Sequence, residues 1–135
     1  MRAFDLMVGD WVYNKNTDSY IQVYPMMISQ MFHQTPDAQA EDYNIFPIPL
    51  TKEILIQTGF EIQDQGGGWF DVWTGFGEDN EKDIEVEFRD DGRIYVKIDG
   101  YGDYFTSSNI KYVHQLQHIL NLLEIDIKII LEEKK

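Results

Sequence analysis

His114 and His118 stand four residues apart in the run N-I-K-Y-V-H-Q-L-Q-H-I-L-N-L-L, Asn109 to Leu123. On a helix that spacing puts two imidazoles on one face, where they could clamp a divalent metal as the centre of a metal-dependent hydrolase. A third ligand would have to come from His33 or a carboxylate, and two histidines on a polar face are more often solvated or hydrogen-bonded. No metal or other cofactor is therefore expected, and the histidine pair stays a subordinate reading. The acidic group Glu78, Asp79, Glu81 and Asp83 suggests calcium, but it lacks the D-x-D-x-D-G order and distal glutamate of an EF-hand. Glycines at 66, 67, 68, 75 and 77 open no G-K-[ST] or G-x-G-x-x-G helix, so they read as turns. Ser107 or Ser108 near His114 is the one local serine and histidine neighbourhood, and a helix-capping role accounts for either serine without chemistry. With 24 carboxylates in the chain, a general acid and base pair could be drawn almost anywhere. No catalytic residue is assigned, and an enzyme is not the expected reading.

The element that must position these groups is the helix expected over Asn109 to Leu123. Val113, Leu116, Leu120 and Leu123 fall at steps of three, four and three, and Tyr112 and Ile119 widen the stripe, so this flank is predicted to be core. At about 100° per residue His114 and His118 point away from Leu116, with Gln115, Gln117 and Asn121 beside them. The result is a polar, uncharged flank suited to a partner. Aromatic residues add a second candidate. Trp11, Tyr13, Trp69, Trp73, Tyr101 and Tyr104 exceed what a small core needs, and rings with a polar edge are favoured at recognition surfaces. The expected interaction surface is His114, Gln115, Gln117, His118 and Asn121 together with Trp69 and Trp73.

The 135 residues are most economically one domain, and the apolar fraction of 43% is too rich for a disordered chain. There is no cysteine, hence no disulfide or thiolate site. No stretch approaches the roughly 18 apolar residues of a membrane span, and Met1 to Leu6 hold no apolar run, so a cytoplasmic location is expected. Eleven basic against 24 acidic side chains leave a net charge of −13, which argues against direct phosphate-backbone binding. Residues 78 to 103 hold ten acids and four bases, a net of −6, whereas 104 to 135 hold four of each. That concentration raises a second possibility: an acidic mimic of nucleic acid that binds a DNA-handling protein.

Leu6 to Val23 reads as a hairpin, V-G-D-W-V-Y and Y-I-Q-V-Y around N-K-N-T-D-S. Pro25 to Phe32, with Met26, Met27 and Met31, is expected as a third strand or an adaptable contact surface, with burial preferred. His33 to Asn44 has a loop composition. In I-F-P-I-P-L-T-K-E-I-L-I-Q-T-G-F-E, the prolines hold Phe46 and Ile48 extended, Thr51 caps a two-turn helix, and Gly59 ends it left-handed. A Gly66-Gly67-Gly68 turn precedes Trp69 to Trp73. Ile84, Val86 and Phe88, then Ile94, Val96 and Ile98, alternate with polar residues on either side of the D-D-G-R turn, predicting a hairpin in which Lys97 faces Glu85 or Glu87. Ile125, Ile127 and Ile129 fit a last strand or a helical extension through Ile130, and E-E-K-K is expected to fray.

The segments V-G-D-W-V-Y, P-I-P-L-T-K-E-I-L-I-Q-T-G-F-E and I-K-Y-V-H-Q-L-Q resemble, in order and spacing, a family of small uncharacterised proteins from Bacteroides-type gut bacteria and their phages. His118 stands where that family usually has asparagine, and N-L-L-E-I-D-I replaces a segment with a glycine after the helix. The resemblance covers about a third of the chain and implies a phage or mobile-element origin, but no activity or cofactor. The sequence thus predicts an α+β domain over residues 1–135, an antiparallel sheet with N-terminal and central hairpins packed against one main C-terminal helix and one short helix. It is expected to act as a non-catalytic interaction module for a protein partner, away from membranes.

Overall fold

Turn chemistry partitions the chain into short elements. The computed structural model describes residues 5–32, 39–76, 82–101, 103–107 and 110–131. Among these described residues the architecture is α+β, with two antiparallel sheets and three α-helices in two compact units. The N-terminal and central hairpins lie in different sheets, so the single sheet expected to hold both is in fact two.

The first unit comprises described residues up to Pro49, together with Tyr112–His114 and Leu131. Strands β1 (Trp11–Asn14) and β2 (Ser19–Gln22) form the expected hairpin, and β3 (Ile45–Pro47) pairs on the other side of β1. The Asp10 carboxylate folds back to accept from Met7 N–H at 2.7 Å, fixing the turn before β1. Pro25–Phe32 is helix α1, not a third strand. Pro25 stands at the helix start, where its missing N–H costs nothing, and Met27 and Met31, one turn apart, are buried with Val12, Val23 and Ile45 while Met26 is exposed. Of the expected loop, Ala40–Tyr43 forms a 3₁₀ turn; His33 lies outside the described residues.

The second unit spans Leu50–Lys111 and Gln115–Ile130. Helix α2 (Lys52–Thr58) starts as the sequence predicts, Thr51 Oγ1 accepting from Ile54 N–H at 3.3 Å. Strands β4 (Glu61–Gly66), β5 (Trp69–Phe76), β6 (Lys82–Phe88), β7 (Ile94–Tyr101) and β8 (Asp103–Ser107) form a meander in that order. Val72, Ile84, Val86, Val96 and Ile98 share its inner face and are fully buried, as their period-two spacing predicts. Edge strand β4 is exposed along its whole length, so it carries no apolar alternation for the sequence to show.

Helix α3 is Val113–Leu122, beginning four residues later than expected because the preceding backbone is committed elsewhere. Tyr112 bridges Pro49, Val113 N–H donates to Ile48 O at 2.9 Å, and Leu50 N–H donates to Lys111 O at 2.9 Å. Ser107 ends β8; Ser108 and Asn109 lie outside the described residues, and the N-terminal bond is made instead by Gln115 Oε1, which accepts from Lys111 N–H at 2.8 Å. Leu116 and Leu120 are buried, as predicted.

Helices α2 and α3 end in the same motif. Phe60 N–H donates to Leu55 O and Gly59 N–H to Ile56 O, both at 3.0 Å; Ile125 N–H donates to Leu120 O at 2.8 Å and Glu124 N–H to Asn121 O at 3.2 Å. Each is a Schellman turn closed by an apolar contact position, but Gly59 meets its left-handed requirement freely, whereas Glu124 is held at φ 55°. Residues 125–131 form neither the strand nor the helical extension. Ile125, Ile129 and Leu131 are buried along an irregular segment, and Ile130 N–H donates to Thr58 Oγ1 at 3.2 Å.

Candidate functional site

The register of the five-stranded sheet gathers polar side chains on the face opposite its apolar layer. Asp71 pairs with Glu87, Trp73 with Glu85, Glu85 with Lys97, and Glu87 with Tyr95. Because side chains alternate along each strand, Trp69, Asp71, Trp73, Glu85, Glu87, Arg89, Tyr95 and Lys97 all project to this outer face. Two of its acids are nevertheless buried, Glu87 at 3% exposure and Asp71 at 8%.

Glu87 is the anchor. Its Oε2 accepts from Arg89 Nη2 at 2.9 Å, and its Oε1 accepts from Lys97 Nζ, the pairing expected across the central hairpin. Burial alone would raise its pKa, but the hydrogen bonds and charges of Lys97 and Arg89 outweigh that and hold the carboxyl below the ordinary glutamate value. Arg89 is itself fixed, its guanidinium carbon 4.6 Å from the ring centroids of both Trp69 and Tyr95. The Glu87 hydrogen bond, offset in part by desolvation, raises its pKa further.

Glu85 behaves oppositely. Burial raises its pKa, and a hydrogen bond with Asp71 and that residue's charge add to the rise, with Lys97 opposing. Asp71 Oδ2 accepts from Gln65 Nε2 at 2.6 Å, while its Oδ1 is buried with no donor among the described residues. The carboxylate oxygens of Asp71, Glu85 and Glu87 lie within 4.8 Å of one another, close enough for a cation, yet Lys97 and Arg89 already neutralise one of the three. Among the described residues this metal-competent cluster includes neither histidine.

The predicted surface residues separate into two groups. Trp69 and Trp73 do share the sheet's outer face, with Trp73 39% exposed. On α3 the polar flank is interrupted: His114, expected in solvent, is 5% exposed. The reason is its place at the helix start, where Tyr112–His114 belong to the first compact unit and the Tyr112 ring stacks on the imidazole at 5.9 Å and 10°. Helical phase alone does not reveal that enclosure. Gln115 is half-buried and used in the Lys111 bond; Gln117 and His118 are half-buried, and Asn121 is exposed. Trp11 is buried, Tyr13 is half-buried, and the side chains of Tyr101 and Tyr104 lie outside the described set. Glu78, Asp79, Glu81 and Gly77 also lie outside it, while Asp83 is exposed on β6 directly opposite Asp99.

The carboxylate cluster itself was missed in the sequence. Its signal was available: aligning β5 antiparallel to β6, the first strand of the central hairpin, places Asp71 against Glu87. Comparison with protein families, with curated proteins and with solved structures returns no match. No helix among the described residues is long and apolar enough to cross a membrane.

Proposed function

We propose that the chain is a non-catalytic interaction module of a phage or mobile element, and that the outer face of the five-stranded sheet is its recognition surface. The observation that carries this reading is hydrogen-bonding capacity left over on one face. Trp69 Nε1 and Arg89 Nε lie there without a partner among the described residues, beside the half-exposed Trp73 ring. Glu61, opposite Trp73, and the exposed Asp83 and Asp99 surround this anchor with negative charge, which suits a basic protein surface. The phage or mobile-element origin rests on the sequence resemblance. A nucleic-acid mimic would need its carboxylates displayed outward, whereas Asp71 and Glu87 are turned to neighbours.

Affinity capture from host lysate with three baits tests the assignment. Wild type and a Gln117→Ala/His118→Ala variant should retain the same protein, and a Trp73→Ala/Asp83→Lys/Asp99→Lys variant should lose it. Retention should weaken with salt, since these exposed charges are screened. Loss in the helix variant with retention in the sheet variant would overturn the assignment.

A further inference from the structure

The three-stranded sheet carries a groove separate from the face described above. Pairing of β1 with β2 sets Tyr13 opposite Tyr20, and pairing with β3 sets Tyr13 opposite Phe46, so three rings cross the sheet in one row. The two tyrosine rings meet edge to face, centroids 6.2 Å apart at 73°. Beside them Pro47, Ile48 and Pro49 complete a groove of about 180 Å³ that also takes in Asp18. The Tyr13 hydroxyl donates to Asp18 Oδ1 at 2.6 Å, which holds the carboxylate at the rim. Among the described residues Asp18 makes no ion pair, and its side chain is exposed.

A cation already lies near one end of this row, Lys15 Nζ being 6.0 Å from the Phe46 centroid. The Tyr13 and Tyr20 end offers the same ring chemistry together with a carboxylate. We propose that this groove receives an arginine side chain of a partner peptide, its guanidinium lying against the tyrosine rings and donating to the Asp18 carboxylate. A planar guanidinium combines ring stacking with directed donation to a carboxylate, which neither an ammonium nor a neutral amide does as well. The net charge of −13 favours the approach of such a peptide.

The test is an NMR titration of the full chain with acetyl-Gly-Arg-Gly-amide, with the lysine and citrulline versions as parallel arms. Saturable shifts at Tyr13, Asp18 and Tyr20 are expected with the arginine peptide, weaker ones with lysine, and none with the neutral citrulline. Asp18→Asn should weaken arginine binding about tenfold or more, the loss of a charge-assisted hydrogen bond. Asparagine tolerates the left-handed backbone of position 18, φ 49°, so the variant keeps the turn and its amide spectrum reports the intact fold. Equal binding of arginine and citrulline peptides, tighter binding of lysine, unchanged affinity in Asp18→Asn, absence of saturable shifts, or shifts confined to the outer face of the five-stranded sheet would each overturn the proposal.

Discussion

On the five-stranded sheet the Glu87 carboxylate is 3% exposed and gripped by two cations, whereas beside the three-stranded sheet Asp18 is exposed and, among the described residues, held by a phenol. Both carboxylates sit beside aromatic rings, but the rings have different work. Trp69 and Tyr95 clamp Arg89, which keeps a charged network in one geometry; Tyr13 and Tyr20 clamp no cation among the described residues and border a groove. The first arrangement holds its side chains in one geometry, on which the recognition surface proposed for this face rests. The second leaves charge and ring faces for an incoming group.

Substitutions can break this contrast, and the largest effect should come from its most enclosed member. Glu87→Gln leaves Lys97 and Arg89 facing a neutral amide, and we expect a loss of about 2–3 kcal/mol in denaturant unfolding at neutral pH, discounted from a fully buried pair because both cations are partly exposed. Its folded pKa is depressed, so the stabilisation is complete above the unfolded glutamate value of about 4.3 and is lost as pH falls through the folded one. The variant should therefore show a flatter acid limb.

Glu124→Gly, outside both sheets, calibrates what backbone relief alone contributes. Relieving the left-handed C-cap of α3 should add about 1 kcal/mol, read as a raised melting temperature. Glu85→Gln is expected to stabilise by about 0.2–1 kcal/mol at neutral pH, by removing a like charge from Asp71. Because the Glu85 pKa is raised, the folded state holds the extra proton and wild-type stability declines as pH rises from the unfolded glutamate value through the folded one; the variant should lose that decline. Smallest of all, Asp18→Asn should leave stability nearly unchanged. The Asp18 hydrogen bond and charge raise the Tyr13 pKa, so this variant should ionise Tyr13 at lower pH in an ultraviolet titration.

Much of this contrast was visible only in part from the sequence. The inner face was legible because Ile84, Val86, Val96 and Ile98 alternate, and α2 because Thr51 and Gly59 mark its ends. Helix α1 was not, since eight residues with one buried methionine pair fit a strand pattern about as well as a helix. Strand β4 gave no alternation because both its sides meet solvent. His114 lay on the polar side of its helix by phase, but the surroundings of the first turn decide burial, and those come from residues distant in sequence. The acid cluster is a product of cross-strand register, which joins Asp71, Glu85 and Glu87 although 14 to 16 positions separate β5 from β6 members.

The most direct test of the central claim is a carboxyl-carbon NMR titration that follows Glu85 and Glu87 in one sample. A pre-set outer face requires Glu85 to titrate above the ordinary glutamate range and Glu87 below it. Both residues titrating independently at the ordinary value would show that the network does not form, and would remove the basis for treating this face as a fixed recognition surface.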